Sequence, residues 1–384
     1  MKILFLDQSG NLGGAELCLA DIAKLYSGDC LVALFSDGAF RKLLEHHCIP
    51  VQVLTETSIP IRKDSTLIQG VSSIRSLIPL VTKVANLARG YDLIYANTQK
   101  ALVIGALASL YSNRPLVYHL HDILSTDHFS YTNRRIAVTL ANWFARLVIA
   151  NSKATQAAFV EAGGRRDIVH IVYNGFDLKH YSRFSSPDIL LDINQIKQNL
   201  NWNDRFIVGH FSRLSPWKGQ HVLLNALAHC PENVAALFVG DALFGEQEYA
   251  KSLYQQTEAL GLEKRVRFLG FRTDVVPLMS ACDLIAHTST APEPFGRVIV
   301  EAMLCGKPVV AAAAGGAVEL IEDGRTGWLS SPGDVTQLAG IIRTAQNQPN
   351  ATQAITKAAQ LQARQAFNGE QTNQHIAQLL KTVV

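Results

Sequence analysis

Two carboxylates stand eight positions apart (301 − 293) in the stretch EPFGRVIVEAM, at Glu293 and Glu301. An ionised carboxylate only accepts hydrogen bonds, so such a pair suits vicinal hydroxyl groups like those of a ribose and a hexose. The apolar residues between the two acids indicate the buried face of a helix. The spacing therefore predicts an acid pair that holds the hydroxyl groups of a sugar-containing ligand.

The same stretch predicts where that helix begins. Phe295 and Gly296 precede the periodic pattern, so we expect the helix to start at about Arg297 and to carry Glu301 in its second turn. Amide groups from Gly296 to Val298 would then lie at a helix N-terminus, which attracts phosphate oxygens. Acids for hydroxyls and amides for phosphate together predict a clamp on a sugar nucleotide.

Two cations flank a turn in the stretch RLSPWKG. Arg213 and Lys218 lie on either side of a proline that opens a predicted helix. An arginine can grip two phosphate oxygens while a lysine supplies a compact charge, so the pair suits a diphosphate. The alternative is that both cations are solvated on the surface.

A glycine pair follows the first predicted strand, in DQSGNLGGAEL. Gly13 and Gly14 would let backbone amide groups approach an anion at a helix start. An ordinary tight turn explains the pair equally well. The spacing also differs from the G-x-G-x-x-G of dinucleotide-binding enzymes, which argues against a nicotinamide-dependent oxidoreductase.

Two histidines end another predicted strand, in YHLHD. His121 would lie at the carboxyl end of that strand, where ligands bind in parallel sheets, whereas His119 is expected in the core. The alternative for His121 is also a packed core position. A third metal ligand at a credible spacing is missing, so we predict no metal site.

Short apolar runs separated by amphipathic stretches organise the whole chain. They predict strands buried on both faces and paired in parallel through helices. The polar stretch from 177 to 204 interrupts this rhythm, so we expect two doubly wound α/β domains that face each other across a cleft. The expected bounds are a first domain over 1–176, a hinge over 177–204, a second domain over 205–365, and a C-terminal helix over 366–384 that returns to the first domain.

Composition narrows the class of protein. The 384 residues carry a formal net charge of +3, too small a surplus to indicate a nucleic-acid partner. We find no export signal and no apolar stretch of membrane-spanning length, and expect a cytoplasmic protein with reduced, buried cysteines. The segment 59–91 combines apolar residues at helical spacing with several cations, interrupted by Pro79. It could lie on an anionic membrane or pack on the sheet.

Five stretches occur in order along nearly the whole chain: GGAE, RLSPWKG, GFRTDV, EPFGRVIVEAM and GGAVELIEDGRTGWL. Together they resemble the retaining, nucleotide-sugar-dependent glycosyltransferases of family 4, which have the GT-B fold. The second half carries the more specific motifs. Ser212 replaces the glycine usual before R-L, and Val318 replaces a proline of the later G-G motif, which puts loop geometry in doubt more than chemistry.

The resemblance implies a role for each candidate residue. Arg213 and Lys218 would neutralise the donor diphosphate, Glu301 would hold the ribose, and Glu293 would hold the transferred sugar. Gly13 and Gly14 would meet the diphosphate from the first domain, with His121 beside the sugar. The backbone near Phe271 and Arg272 would contact the base.

The expected function is transfer of a hexose from a UDP-linked sugar, with UDP-glucose as the candidate donor, to a glycan or a lipid-linked acceptor. No metal and no cofactor are expected, because the sequence has no D-x-D motif and the cations could stabilise the leaving group. A sugar-nucleotide epimerase of the same fold and a non-catalytic nucleotide-sugar binding subunit are the alternatives.

Overall fold

Two parallel sheets organise the chain, each in a unit of its own. The computed structural model describes residues 1–55, 67–126, 128–182, 188–243 and 245–384, with the backbone alone for 67–76 and 188–191. Unit 1 comprises Met1–Gly175 and Gly369–Val384, and unit 2 comprises Phe176–Asn368.

The sheet of unit 1 has seven strands among the described residues, all paired in parallel. The strands are β1 (Ile3–Asp7), β2 (Cys30–Leu34), β3 (Val51–Val53), β4 (Leu93–Ala96), β5 (Leu116–Leu120), β6 (Ala145–Ala150) and β7 (Val169–Ile171). Their order is β3-β2-β1-β4-β5-β6-β7, which makes β1, β4 and β5 direct neighbours. The central strands are buried along their whole length, as their apolar sequences predict.

Helices cover both faces of this sheet. They are α1 (Gly14–Ala23), α2 (Ala39–His46), α3 (Leu67–Ala88), α4 (Gln99–Ser112), α5 (Tyr131–Phe144) and α6 (Lys153–Glu161). Two separate hydrophobic clusters, one on each face, are built from alternate residues of the strands. This is the doubly wound arrangement, and it leaves the carboxyl edge of the sheet to the loops.

Among its described residues, unit 2 repeats the architecture with six strands in the order β10-β9-β8-β11-β12-β13. The strands are β8 (Phe206–Phe211), β9 (Val234–Val239), β10 (Val266–Phe268), β11 (Leu284–His287), β12 (Val309–Ala312) and β13 (Trp328–Ser330). The helices are α7 (Leu178–Ser182), α8 (Asp188–Leu200), α9 (Gln220–Ala228), α10 (Gln247–Ala259), α11 (Val275–Ala281), α12 (Arg297–Leu304), α13 (Ala317–Leu320), α14 (Val335–Asn347) and α15 (Pro349–Ala366). Here β8 and β11 are neighbours.

Two segments do not belong to the alternating strands and helices: the stretch expected as a hinge and the last helix. The stretch expected as a hinge, 177–204, contains α7 and α8 and groups with unit 2. The last helix, α16 (Gly369–Lys381), groups with unit 1, where Ile376 and Leu380 are buried in the hydrophobic cluster of one sheet face. Asn373 of the same helix donates a hydrogen bond to the carbonyl of Asp21 at 3.4 Å.

The segment considered for membrane contact lies partly outside the described residues. From Leu67 onward it is helix α3, which runs through Pro79, so the expected interruption is wrong. Val81 is buried in the core of unit 1, while Ile78 is 57% exposed. From Leu77 onward, the buried side chains of α3 therefore pack in the core of unit 1, whereas the side chains of Leu67, Val71 and Ile74 lie outside the described residues. Within the described ranges, no helix is both long and apolar enough to cross a bilayer.

None of the six cysteines, all of which the structure describes, forms a disulfide bond, in agreement with the expected reduced state. The expectation that all are buried is wrong for Cys48, which is exposed, and for Cys305, which is only partly buried. Cys48 follows the end of α2 and has a φ of 57°, so it sits in the turn that leads to β3 rather than on a packed face.

Candidate functional site

The turn after β8 positions the two predicted cations. Pro216–Lys218 forms a single 3-10 turn, and Gly219 then takes a φ of +71° before α9 begins. A Cβ on residue 219 would lie 1.9 Å from the carbonyl oxygen of Thr288, so glycine is required there. The close packing of this turn on the loop after β11 fixes Lys218 at the carboxyl edge of the sheet.

Trp217 lies beside both cations. The Lys218 Nζ atom is 4.0 Å from the centroid of the indole ring, and the Arg213 Cζ atom is 5.7 Å from it. A cation over an aromatic face is stabilised by the ring quadrupole. The structure thus brings Arg213 and Lys218 to one ring, as a shared diphosphate site would require.

Glu293 receives three donors on one oxygen. Its Oε2 accepts hydrogen bonds from Lys218 Nζ at 2.6 Å, His287 Nε2 at 3.1 Å and Ser289 Oγ at 3.2 Å. Burial alone would raise the pKa of Glu293, but the charge of Lys218 and the contact with His287 outweigh it and hold the pKa well below its usual range. The group is a fixed carboxylate anion.

This arrangement departs from the sequence-based assignment in one respect. The sequence assigns Lys218 and Glu293 to different parts of a ligand, whereas the structure pairs them directly. The sequence-based candidates do not include His287 and Ser289. His287 ends β11 and Ser289 follows two positions later, so the rule that ligands bind at the carboxyl edges of parallel strands is the signal that points to them.

The later G-G motif holds the backbone of the same acid. The Gly316 amide donates to the Glu293 carbonyl at 2.6 Å. Gly315 has a φ of +64°, and a Cβ on it would lie 2.3 Å from that carbonyl oxygen. The two glycines therefore allow a backbone approach that any side chain would block.

Helix α12 begins at Arg297, which confirms the predicted start. Gly296 precedes it with a φ of +95°. The side chain of Phe295 is only 2% exposed and packs against the rings of Phe176 and Phe367. Only the backbone of Phe295 is therefore available to a ligand, while Val298 in the first turn of the helix is half-buried.

Glu301 lies one turn along α12 from Arg297. The Arg297 Nε atom is 3.6 Å from Glu301 Oε1, and the guanidinium lies over the ring of Phe176 at 4.6 Å. Both charged side chains are largely buried, at 15% and 18% exposure. Glu301 is thus a partly accessible carboxylate beside a cation. It lies on α12, the helix that begins shortly after Glu293.

The loop after β10 carries the predicted base-contacting residues. Phe271 is 60% exposed. The Arg272 guanidinium donates two hydrogen bonds to Asp274, at 2.7 and 2.6 Å, so its charge is paired locally. The groups left to contact a base at this loop are therefore the exposed ring of Phe271 and the loop backbone.

In unit 1, an acid from the chain itself lies against the predicted glycine turn. Gly13 precedes α1 in an extended conformation, and a Cβ on it would lie 2.7 Å from Glu16 Oε2. Gly14 begins the helix. Burial, and next the charge of Asp7, raise the pKa of Glu16 to about 8. Glu16 therefore carries a proton at neutral pH, and it occupies the space beside Gly13 where the sequence predicted an anion.

His121 ends a row of polar side chains. Its Nε2 atom is 2.9 Å from Asn97 Oδ1, and Asn97 Nδ2 donates to Asp7 Oδ2 at 2.7 Å and to the Ala15 carbonyl at 3.1 Å. Asp7 and Asn97 are fully buried. The alternative of a fully buried His121 is wrong, because its side chain is half-buried at the sheet edge.

His119 lies in the core, as predicted, with Nδ1 at 2.7 Å from the Tyr95 hydroxyl. Burial, and next the charge of His121, lower the pKa of His119 well below its usual value. The expectation that no third metal ligand accompanies the two histidines is wrong. Cys18, His119 and His121 each offer one possible ligand atom, and these atoms lie within 4.8 Å of one another. Cys18 comes from α1, about one hundred residues earlier, so spacing along the chain could not show it.

Comparison with known proteins places this geometry in a family. The profile for Glycosyltransferase Family 4 matches residues 12–180, and that for Glycosyl transferases group 1 matches residues 192–362. HepE from Anabaena, solved in complex with UDP-glucose, is 58% identical, with full coverage of both chains and a TM-score of 0.91. The chain belongs to these glycosyltransferases.

Other relatives match over shorter stretches. D-inositol 3-phosphate glycosyltransferase of Mycobacterium marinum is 38% identical over 138 residues, which is 35% of this chain and 29% of that protein. Spore coat protein SA of Bacillus subtilis is 30% identical over 193 residues, which is 48% of this chain and 51% of that protein. The chain thus matches about a third to a half of the length of these relatives, and the two-unit α/β architecture is the GT-B glycosyltransferase fold.

Two positions depart from the usual glycosyltransferase motifs. Ser212 accepts a hydrogen bond from Gln220 Nε2 at 2.9 Å and donates to the Arg213 carbonyl at 3.0 Å, so it braces the loop that carries the arginine. Val318 lies on α13 and is 48% exposed. Neither departure removes a charged group from the site.

Proposed function

We propose that this glycosyltransferase is a retaining hexosyltransferase that uses a UDP-hexose, with UDP-glucose the first donor to test. Structures of HepE in complex with UDP-glucose and with UDP and glucose support this choice, because HepE aligns with the whole chain at 58–60% identity. The proposed acceptor is a glycan or a lipid-linked sugar, in polysaccharide or glycoconjugate synthesis.

The observation that carries the proposal is the Lys218–Glu293 pair. A cation and an acceptor-only anion lie 2.6 Å apart at the carboxyl edge of the unit 2 sheet, immediately before the start of α12. Neighbouring parts of a sugar nucleotide have the complementary chemistry, since the phosphate is anionic and the sugar hydroxyls are hydrogen-bond donors. Donor binding would exchange this internal ion pair for contacts to both parts.

The other candidate residues take the roles that the family resemblance implies. Arg213 joins Lys218 at the diphosphate, Glu301 holds the ribose, and the backbone near Phe271 and Arg272 meets the base. His121 contacts the sugar. The remaining residues contact phosphate through their backbone amide groups: Gly13, Gly14, Phe295, Gly296, Arg297 and Val298.

In the proposed reaction, the bond between the anomeric carbon and the diphosphate oxygen breaks while the acceptor oxygen bonds to the same face of that carbon. The acceptor proton passes to an oxygen of the departing diphosphate. Negative charge grows on the leaving group, and Arg213 and Lys218 are the groups that meet it. A preorganised donor of this kind contributes about 3–4 kcal/mol to transition-state stabilisation.

Metal independence is part of the proposal, because the two cations supply the charge that a metal ion would otherwise supply. Sugar transfer should then keep its rate in excess chelator. A matched assay with added magnesium or manganese completes the test. Loss of transfer on chelation, with recovery on adding the metal, would contradict this part of the proposal. No cofactor and no nucleic-acid partner are proposed.

The proposed setting is the cytoplasm, with peripheral contact at the inner face of the membrane when the acceptor is lipid-linked. Flotation with vesicles that contain anionic lipids tests the membrane contact. Vesicles of neutral lipid are the control, because an electrostatic contact depends on the anionic surface.

Donor specificity is the first experiment. Nucleotide sugars are screened for protection against thermal unfolding, and the protecting donor is then incubated with and without candidate acceptors. Transfer that depends on an acceptor supports the proposal. An epimerised sugar nucleotide without any acceptor would favour the epimerase alternative, and protection without any turnover would favour a binding subunit.

A further inference from the structure

Three polar residues stand at the carboxyl ends of three neighbouring strands in unit 1. Asp7 ends β1, Asn97 follows β4 directly, and His121 follows β5 directly. Since these strands are adjacent in the sheet, the three side chains form a row across its edge. The distances are 2.7 Å from Asn97 Nδ2 to Asp7 Oδ2 and 2.9 Å from Asn97 Oδ1 to His121 Nε2.

The orientation of the Asn97 amide is determined by its partners. Its Nδ2 faces the Ala15 carbonyl at 3.1 Å, a group that only accepts hydrogen bonds, as well as Asp7. The amide oxygen must therefore face His121. Because that oxygen is an acceptor, the His121 Nε2 atom that contacts it carries the proton.

Asp7 is held in turn. Its Oδ1 accepts a hydrogen bond from the Ser9 amide at 2.8 Å, and the side chain is fully buried. The carboxyl group therefore has one position, and the Asn97 amide that it binds has one position too. Second partners of this kind commonly set the orientation and tautomer of a histidine ring.

We infer that Asp7 and Asn97 are positioning residues for His121, which fix its ring with Nε2 toward the Asn97 amide oxygen and with a proton on that nitrogen. The inference rests on the proposed function only where it assigns His121 to the donor sugar. The tautomer itself follows from the hydrogen bonds of unit 1.

A neighbouring contact supplies the matched control. Tyr95 lies two positions before Asn97 on β4, and His119 lies two positions before His121 on β5. The Tyr95 hydroxyl contacts His119 Nδ1 at 2.7 Å. Tyr95→Phe removes a hydrogen bond of similar length and depth but leaves Asn97 in place.

The test is nitrogen NMR of the protein labelled in its histidine rings, with the His121 signals assigned by their loss in His121→Gln. The wild-type protein should show His121 with Nε2 protonated. Asn97→Leu should give a mixture of tautomers, whereas Tyr95→Phe should leave the proton on Nε2 of His121. Predominance of the Nδ1-protonated form in the wild type would overturn the inference. So would unchanged His121 signals in a folded Asn97→Leu variant.

A second variant covers the case in which Asn97→Leu does not fold. Asn97→Asp keeps an acceptor oxygen toward His121, so the Nε2 proton should stay. The other titratable groups packed around this row are His119, Glu16 and Asp122, and they are the same in both proteins. An unprotonated Nε2 of His121 in the Asn97→Asp protein would contradict the inference.

Kinetics separate this inference from the proposed function. Asn97→Leu should lower kcat for sugar transfer about 10-fold, the scale of one lost hydrogen bond, and leave UDP affinity unchanged. An equal loss of both would indicate structural damage instead of positioning. If the wild type transfers no sugar, the proposed function fails, yet the ring spectra still decide the tautomer.

Discussion

The carboxyl edges of the two sheets place carboxyl groups in opposite electrostatic surroundings. In unit 1, Asp7 and Glu16 are buried beside each other. Burial is the main cause that raises the pKa of Asp7 to about 6 and that of Glu16 to about 8. In unit 2, Glu293 is also buried, but Lys218 and His287 donate to it and keep it ionised. The same fold therefore raises the pKa values of the acids at one edge, Glu16 more strongly than Asp7, and holds a carboxylate anion at the other.

The difference follows from the partners that each edge supplies. A buried acid stays neutral unless a cation or several donors compensate for lost hydration. Unit 2 supplies both at the turn of Lys218 and at the end of β11. Unit 1 supplies amides and another acid. A nucleotide sugar needs charged groups for its diphosphate, so the edge of unit 2 is suited to the donor.

The largest expected effect comes from removing the cation of unit 2. Lys218→Ala should lower turnover by about 100-fold to 1,000-fold, the cost of losing one preorganised transition-state donor. Initial rates of sugar transfer measure this effect, and circular dichroism checks the fold. Lys251→Ala is the matched control, because Lys251 pairs with Glu248 on an exposed helix surface. Near-normal turnover in a folded Lys218→Ala protein would exclude the diphosphate role.

The second prediction concerns unit 1 and the dependence of stability on pH. Because the pKa of Glu16 is raised to about 8 from 4.5, the folded state holds a proton that the unfolded state releases, so stability should fall as pH rises from about 4.5 to about 8. The loss should be on the order of 3 kcal/mol by pH 7, and Glu16→Gln should remove most of it. Urea unfolding at several pH values measures it.

Glu293 should show the opposite dependence. Its pKa is depressed, so its contribution to stability is present above the unfolded pKa of 4.5 and is lost as pH falls below that value. Urea unfolding of Glu293→Gln measures this dependence, and Glu248→Gln is the control for Glu16→Gln and Glu293→Gln, since Glu248 is exposed. If Glu16→Gln leaves the slope between pH 5 and pH 8 unchanged, the contrast between the two edges is not real.

Sequence patterns predicted the features that depend on local order. Continuous apolar runs gave parallel strands, and the residues directly after them, such as His121 and Lys218, were found as candidates because chain direction fixes which edge they reach. The start of α12 at Arg297 followed from the glycine before a periodic run. Burial of Phe295 did not follow, since its aromatic neighbours Phe176 and Phe367 lie far away in sequence.

Partners that meet only through the order of strands could not be predicted. Asp7, Asn97 and His121 come from strands that are first, fourth and fifth along the chain but adjacent in the sheet. Lys218 and Glu293 are separated by 75 residues. Each residue alone shows which edge it occupies, and only the three-dimensional order of strands shows which side chain it meets.

The division of labour between the two acids of EPFGRVIVEAM is the central claim, and calorimetric titration with UDP tests it most directly. Glu301→Gln should weaken UDP binding about 10-fold, because an amide offers the ribose hydroxyls one acceptor oxygen in place of two and a charged hydrogen bond is lost. Glu293→Gln should bind UDP at least as well as the wild type, since Glu293 is assigned to the sugar and its loss releases Lys218. If Glu293→Gln loses UDP affinity as severely as Glu301→Gln, the assignment of the two acids to different parts of the donor is wrong.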